Sequence, residues 1–512
     1  MNYPLVLKHL GIVAIVYAVA MIAPLGCAAW YGERVSLVAF ALSIGINAGI
    51  ALTLMWVGRN APDKMFQRES LALVGITWIL AAVLGAFPFI LSGTFSSPID
   101  ALFESTSGIT TTGSTVLADI EAAPRSILFW RALMQWMGGI GIAVLFVAVL
   151  PYLGAGGKQL FKLEAPGPES HTFRPRIRDT AAFICRLYLG LSFLLFVIFL
   201  LEGMTPFDAI CHTFTTVATG GFSTKQASIA AFDSVLIEMT VVLFMIISAI
   251  NFGLFFAMLR GRRDAVWRNA EFRVFIGILV IATAAVTLNL MGVHGDPGDA
   301  SDGAIAQGIE GAKYHDVENT SYELGEALRV ATFQVASIGT TSGFVTTDFD
   351  AWPHFSRTLL LVLMFVGACG GSTAGGFKIV RILMLLKMAF WRVEQSFRPK
   401  TIRLVRIGED VVDEEVQRRV SGFFVLFLLW FVMGTLILSA YGLPLETATT
   451  AVLATLNNIG PGLGLVGASV DYHLLPPAVK LFLSFCMVLG RLEIFTICVL
   501  FIPSFWRSKW TR

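Results

Sequence analysis

Four short segments of this chain combine threonine, serine or asparagine with glycine, and each lies between two long apolar runs. Such residues can bind a dehydrated cation, because rings of carbonyl oxygens replace the water that the ion loses. Glycine permits the backbone conformations that turn successive carbonyl groups one way. Four copies can surround one axis, so the segments predict an ion path. The residues predicted to line it are Thr111, Thr112, Gly113, Thr219, Gly220, Gly221, Thr341, Ser342, Gly343, Asn458, Ile459 and Gly460.

Each glycine segment follows a stretch that is too short and too polar to cross a bilayer. As half-helices entering from outside, these stretches would direct their partial negative C-terminal ends toward the membrane centre. The alternative is that the glycine, threonine and serine residues only let membrane helices pack closely. Four copies in register favour the ion path. The predicted half-helices are residues 100–109, 208–217, 328–337 and 446–456.

The composition predicts an all-α protein that crosses a membrane many times. Of the 512 residues, 56% are hydrophobic and only 14% are charged, whereas about a quarter are charged in a typical soluble protein. Nucleic-acid binding is not indicated, because the basic residues lie in a few loops rather than in one patch. Apolar helices are expected near residues 8–28, 37–57, 71–92, 126–151, 181–202, 234–259, 272–292, 356–390, 420–441 and 478–503.

The distribution of charge predicts the orientation of this ten-span arrangement. All clusters of lysine and arginine fall on one face, which the positive-inside rule makes cytoplasmic. Both termini are therefore expected in the cytoplasm, while the acidic loop 292–326 lies on the opposite face. The basic clusters are residues 59–68, 158–186, 260–273, 378–419 and 507–512.

Internal repetition predicts the architecture. An alanine lies twelve positions before each of the four glycines, at Ala101, Ala209, Ala331 and Ala448. Each unit reads as span, half-helix, glycine segment and span, which predicts four pseudo-symmetric repeats around a central pore. Two extra transmembrane helices precede them. The predicted divisions are 1–60 for those two helices and 71–151, 178–260, 270–390 and 415–507 for the repeats.

The sequence resembles the Trk/Ktr/HKT superfamily of potassium transporters over essentially the whole chain. The segments ATGGFST at 218–224, GTTSGFVTTD at 339–348 and NNIGPGLG at 457–464 are most similar to bacterial TrkH-type transmembrane subunits. The resemblance implies that potassium passes through a pore in each subunit and that the four glycines form the filter. Plant relatives with serine at the first filter position tend to favour sodium. Glycine at all four positions here favours potassium.

The resemblance also implies the setting in which the chain works. It predicts a homodimer in a bacterial inner membrane, with a cytosolic ring of RCK-type nucleotide-binding regulatory subunits. The basic loops 158–178 and 378–406 are candidate docking surfaces for that ring, and anionic lipid is an equally good candidate for them.

A glycine-rich stretch inside span 356–390 predicts a break in that helix. Five glycines lie in the twelve residues from Gly367 to Lys378, and each costs roughly 1 kcal/mol relative to alanine inside a helix. A mobile loop below the filter is expected, and TrkH-like proteins carry an obstructing loop here. A glycine-lined packing face is the alternative. The predicted gate residues of the loop are Gly370, Gly371, Ser372, Thr373, Gly375 and Gly376.

Arg491 is the predicted second part of the gate. In a continuous helix it would lie about 18 Å from the cytoplasmic end, and a charge that deep is usually paired and functional. We expect it to donate hydrogen bonds to the 370–376 loop, a role that the family resemblance also implies. The alternative is a structural ion pair with Glu493 or Glu104.

Several other polar or glycine-rich residues have less specific interpretations. His212 and Glu104 are expected to be hydrogen-bonded structural residues, and packing is the interpretation favoured for 138–141 and 251–253. The outer carboxylates either concentrate cations at the mouth or are simply solvated. These carboxylates are Asp119, Glu121, Asp348, Asp350 and Asp471.

Two other classes of function remain for comparison. An ion-coupled secondary transporter of another small solute could also use broken helices at the membrane midplane, although direct repeats entering from one side argue against it. An enzyme is disfavoured, because no nucleophile–base pair stands out. The GxGG run at 154–157 lacks the preceding strand that a nucleotide-binding fingerprint needs.

Overall fold

The computed structural model describes residues 1–61, 66–149, 173–292, 322–399, 404–408, 410–492 and 494–506. Within this part of the chain the protein is helical apart from loops and one small hairpin, Arg406–Ile407 with Asp410–Val411. The predicted all-α polytopic fold is confirmed. The GxGG run at 154–157, most of the basic loop 158–178, most of the acidic loop 292–326, Glu493 and the C-terminal basic cluster lie outside the described residues.

The first helices are α1 (Tyr3–Ala20), α2 (Ile22–Tyr31), α3 (Arg34–Val57), α4 (Gln67–Leu91), α5 (Pro98–Ile109), α6 (Arg125–Val149), α7 (Phe173–Leu201), α8 (Pro206–Val217), α9 (Val235–Ala249) and α10 (Phe252–Leu259). The later ones are α11 (Ala265–Arg268), α12 (Ala270–Gly292), α13 (Leu324–Gly339), α14 (His354–Val366), α15 (Ile379–Phe397), α16 (Glu414–Ala440), α17 (Leu445–Leu456), α18 (Pro477–Arg491), α19 (Ile494–Cys498) and α20 (Pro503–Trp506).

Helices α5, α8, α13 and α17 are the four predicted half-helices. Side chains cap the first two of these helices: Ser97 Oγ accepts from Ile99 N at 3.2 Å and Thr205 Oγ1 from Asp208 N at 3.1 Å. Proline follows each of these two caps, where its missing N–H costs nothing. All four helices are largely buried and end at the glycine segments.

Six described helices are long and apolar enough to cross a membrane, and two bent helix pairs raise that number to eight. The predicted span 234–259 is wrong as a continuous helix, because α9 and α10 meet at 86°. Asn251 causes the break by capping α10, with its Oδ1 accepting from Gly253 N at 2.8 Å. Packing alone therefore does not explain 251–253.

The predicted span 478–503 is also not one helix. Helix α18 ends at Arg491, and the following helical segment turns away by 118°. The depth of Arg491 therefore cannot be measured along a straight helix to Pro503. Its burial is nevertheless real, since only 3% of the residue is exposed.

Candidate ion-conducting site

The four glycine segments share one backbone path. Two residues before each glycine, a non-glycine residue has a φ between 53° and 57°, and the glycines have φ between 79° and 108°. In the first segment, Thr111 N bonds to Gly108 O at 3.1 Å and Thr112 N to Ser107 O at 2.9 Å, which is a Schellman motif. The same bonds end the other three helices. The left-handed residues are Thr111, Thr219, Thr341 and Asn458.

The four glycines close a ring, because each lies against the backbone of the next segment. A Cβ atom added at any of them would press on a carbonyl oxygen one position before the neighbouring glycine. Only glycine fits this approach, and its positive φ adds a second reason. In order around the axis, the contacts are Gly113 with Gly220, Gly221 with Ser342, Gly343 with Ile459 and Gly460 with Thr112. The twelve predicted filter residues are thus brought together.

A buried ion pair holds the first and second segments from behind. Arg131 Nε donates to Glu104 Oε1 at 2.7 Å, and both side chains are at most 1% exposed. The guanidinium also donates to Ser223 O at 3.3 Å and lies 4.1 Å from the centre of the Phe222 ring. Glu104 in turn accepts from Val116 N at 2.9 Å. Glu104 is thus hydrogen-bonded, as expected, and its ion-pair partner is Arg131.

The fourth segment is bonded to the first. Gly460 O accepts from Ser114 Oγ at 3.0 Å and from Tyr472 OH at 2.9 Å. Asn458 Nδ2 donates to Thr112 Oγ1 at 2.9 Å, which joins the two segments on the helix side of the ring. These bonds close the ring between the last and first repeats.

The second and third repeats are joined by a bidentate ion pair. Arg329 on α13 donates to both carboxylate oxygens of Glu238 on α9, at 2.6 and 2.7 Å. His212 is also hydrogen-bonded, as expected: its ring nitrogens lie 2.8 Å from Asp208 O and 3.0 Å from Ser223 Oγ. The two parallel hydrogen bonds between Arg329 and Glu238 fix geometry as well as adding energy.

The third and fourth repeats are joined by outer carboxylates. Asp348 Oδ2 accepts from Ser469 Oγ at 2.6 Å, and Asp350 Oδ2 accepts from Gly464 N at 3.2 Å. Burial and, to a smaller extent, the charge of Asp348 raise the pKa of the Asp350 carboxyl to about 8 despite the opposing charge of Arg357. Arg357 itself pairs with Glu446. These two aspartates therefore bind one loop to another.

The mouth above the ring is a cavity bordered by all four glycines. Two basic residues, Arg131 and Lys225, border this cavity. In the described part of the chain, none of the five predicted outer carboxylates lines it. Asp471 pairs with His473, and Asp119 Oδ1 accepts from Ala122 N at 3.0 Å. The geometry thus gives four of the five carboxylates, Asp119, Asp348, Asp350 and Asp471, contacts that join loop residues.

The predicted loop lies directly against the ring. Residues 367–378 separate α14 from α15, so the predicted break in span 356–390 is confirmed. The loop bonds to the second, third and fourth segments through polar groups at their bases. The contacts are Thr373 Oγ1 with Thr219 Oγ1 at 3.4 Å, Gly375 N with Thr341 Oγ1 at 2.7 Å, and Phe377 N with Asn457 Oδ1 at 3.2 Å.

The break between α9 and α10 anchors the other side of this loop. Thr373 N donates to Ser248 O at 3.2 Å, and Phe252 N donates to Gly371 O at 3.1 Å. Gly370 N donates to Glu271 Oε1 at 2.9 Å. The loop thus occupies backbone groups that a continuous second-repeat helix would have bonded internally.

Arg491 contacts the same loop. Its Nη1 donates to Thr373 O at 2.9 Å, while Nε and Nη2 have no hydrogen-bond partner among the described residues. The alternative pairing with Glu104 is wrong, because Glu104 is bonded to Arg131. Glu493 lies outside the described residues. Arg491, Gly375 and Gly376 border one small cavity.

Three residues at the ring were not singled out from the sequence: Arg131, Gln135 and Tyr472. Arg131 and Gln135 are polar residues four apart in an apolar span, so they share one helix face. That spacing was an available signal that the face meets something polar. No comparable pattern marks Tyr472, whose hydroxyl reaches Gly460 only through the fold.

A helical chain with several membrane-spanning helices, in which four buried helices end at a ring of glycine segments, belongs to the class of multi-pass membrane proteins. The family model for TrkH, described as a cation transport protein, matches residues 42–508. The chain therefore belongs to the TrkH family of cation transport proteins, a family of transporters rather than enzymes.

Individual relatives agree with this assignment. The chain is 37% identical to the Trk system potassium uptake protein TrkH of Salmonella typhimurium, over 99% of this chain and 100% of the relative. It is 34% identical to the Trk system potassium uptake protein TrkG of Escherichia coli, over 98% and 99%. The crystal structure of the potassium transporter TrkH from Vibrio parahaemolyticus superposes with a TM-score of 0.86 at 36% identity, covering 99% of this chain and 100% of that one.

Proposed function

We propose that this protein carries potassium across a bacterial inner membrane through the ring of four glycine segments. The observation that carries the proposal is the closure of the ring, in which each glycine lies against a carbonyl group of the next segment. Desolvated potassium is stabilised where such carbonyl groups replace its hydration shell. The relatives named as potassium uptake proteins support potassium as the ion.

The loop 370–376 and Arg491 gate this path. This loop and the adjoining Phe377 bond to the bases of three segments, and Arg491 donates a hydrogen bond to Thr373 O. A buried guanidinium next to the path also repels a cation electrostatically, and the effect is large where water is excluded. Movement of Arg491 away from Thr373 would release the loop.

The chain works as a multi-pass membrane protein with both termini in the cytoplasm. A homodimer associated with RCK-type cytosolic subunits is the proposed assembly. It is supported by the relatives' names, which describe a Trk system, and by the basic residues of the sequence at 158–178 and 378–406. Anionic lipid on that surface is the competing occupant.

The test is ion flux into liposomes that contain the purified protein, measured for potassium and sodium with and without a proton gradient. We expect potassium to enter faster than sodium. Gly343→Ala should reduce potassium flux about tenfold or more, since a barrier of 1.4 kcal/mol is a factor of ten. Its Cβ would meet Ile459 O, and its φ of 79° is unfavourable for alanine.

Gly277→Ala is the matched control. Gly277 lies in α12 of the same repeat, and a Cβ there meets no atom within 4 Å. Its flux should equal that of the wild type. Full potassium flux through correctly folded Gly343→Ala protein would contradict the proposed path.

A further inference from the structure

The residue before the ring glycine differs in every repeat. It is Thr112, Gly220, Ser342 and Ile459 in turn, so only the second segment lacks a side chain there. Its place is taken by another residue: a Cβ at Gly220 would overlap the carboxamide of Gln135. Gln135 lies on α6 in the first repeat and is fully buried.

The carboxamide of Gln135 makes two hydrogen bonds with the second segment. Nε2 donates to Gly220 O at 2.6 Å, and Oε1 accepts from Phe222 N at 3.1 Å. The orientation of the amide follows from these partners, because a flipped amide would set oxygen against oxygen and N–H against N–H. The bonds span Gly221, whose positive φ and close contact form part of the ring.

Gly220 O is one of the four carbonyl oxygens in the ring contacts, since it is the oxygen that Gly113 faces. The corresponding oxygens of Thr112, Ser342 and Ile459 accept no hydrogen bond from the residues that the structure describes. One carbonyl of the four is therefore held in place by an N–H donor, which also occupies one of its two lone pairs.

Close packing of α6 makes this contact possible. A Cβ at Gly138, one turn after Gln135, would overlap Ile109 O at the end of α5. In the fourth repeat, Gly490 has the same relation to Leu456 O. Met487 is therefore the counterpart of Gln135, and it has no donor. At this position, therefore, the first repeat has a side chain that can donate a hydrogen bond and the fourth repeat has one that cannot.

We propose that Gln135 is a positioning residue that sets the preference of the ring for potassium by fixing the carbonyl of Gly220. This inference rests on the proposed function of the ring. Selectivity depends on the number, spacing and field strength of the carbonyl groups around the ion. Without the amide, this carbonyl gains freedom to approach a smaller ion, so discrimination against sodium falls.

The test compares Gln135→Met with the wild type in liposomes, with potassium flux and sodium flux measured separately. Methionine conserves volume and is the residue at the counterpart position. The potassium-to-sodium flux ratio should fall by about threefold to tenfold, the factor expected for loss of one buried hydrogen bond. Gln135→Glu should lower the ratio as well, because an ionised carboxylate cannot donate to Gly220 O.

Gln334→Met is the control. Gln334 is equally buried in α13, but its Nε2 donates to Thr346 Oγ1 at 3.3 Å rather than to a ring carbonyl. Its flux ratio should stay at the wild-type value. A wild-type ratio in folded Gln135→Met protein, or equal losses of both fluxes, would overturn the inference. The Gly343→Ala variant separates this inference from the proposed function. If Gly343→Ala lowers potassium flux while Gln135→Met has no effect on the ratio, only the inference about Gln135 fails. If Gly343→Ala also leaves potassium flux unchanged, the proposed ion path fails as well.

Discussion

The helices that lead into the ring and the spans that leave it differ in how well they repeat. Helices α5, α8, α13 and α17 end in the same hydrogen-bond pattern and the same sequence of φ angles. The spans that follow do not match one another. The first, α6, runs unbroken; the second bends by 86°, the third is interrupted by residues 367–378, and the fourth bends by 118°.

The comparison indicates a division of labour. The ring is built from backbone groups, and backbone geometry can be repeated with different side chains at neighbouring positions. The region below it depends on particular side chains, of which Thr373 and Arg491 are the clearest. In the proposed mechanism the symmetric part recognises the ion, and the asymmetric part controls its passage.

The largest effect on the ring side should come from breaking its buried ion pair. Glu104→Gln leaves Arg131 charged and 1% exposed, with its carboxylate partner gone. Removal of one partner from a buried pair costs about 3–5 kcal/mol. The unfolding temperature of the purified protein in detergent should therefore fall clearly, and the potassium-to-sodium flux ratio should fall with it.

Glu415→Gln is the control for this prediction. Glu415 pairs with Arg419 on the surface of α16, with both side chains at least 36% exposed. Exposed pairs contribute about 1 kcal/mol or less, so its unfolding temperature should stay close to that of the wild type. Equal behaviour of the two variants would mean that the pair behind the ring does not support it.

A smaller, pH-dependent effect should come from Asp350, which lies outside the spans. Its folded-state pKa of about 8 exceeds the value of about 3.9 in an unfolded chain. Between these two pKa values, the Asp350 carboxyl is protonated in the folded protein and ionised in the unfolded chain. Stability should fall as pH rises toward 8, by at most about 1.4 kcal/mol per pH unit, and then level off.

Asp350→Asn removes the titrating group while keeping an acceptor for Gly464 N. The unfolding temperatures of the wild type and this variant are compared from pH 5 to pH 9. The unfolding temperature of the wild type should fall relative to that of the variant as pH rises to about 8. A difference that is constant with pH would show that Asp350 is ionised throughout in the fold.

The repeated half of the molecule was the predictable half. Its glycine segments and half-helices have local sequence signals. In the part that does not repeat, the broken third span also has one, namely the five glycines from Gly367 to Gly376. The residue types within each of these segments were enough to predict its local backbone structure. The predicted boundaries of the half-helices differ from those of the structure by only a few residues.

The connections between repeats were not predictable in the same way. The bond from Gln135 to Gly220 and that from Tyr472 to Gly460 join residues whose meeting depends on the whole arrangement. The breaks after Ala249 and Arg491 were missed because the surrounding residues are as apolar as in continuous spans. At Asn251, a single capping side chain and the loop that bonds to the freed backbone outweigh hydrophobicity.

The central claim is that the ring selects the ion and that the loop with Arg491 controls its flow. Flux through Arg491→Ala protein in liposomes, without any partner, tests this claim most directly, with Arg491→Gln as a second variant. The account predicts that resting potassium flux rises about tenfold, the equivalent of one buried charge-assisted hydrogen bond, while the potassium-to-sodium ratio stays at the wild-type value. Unchanged resting flux in normally folded protein, or an altered ratio, would contradict it.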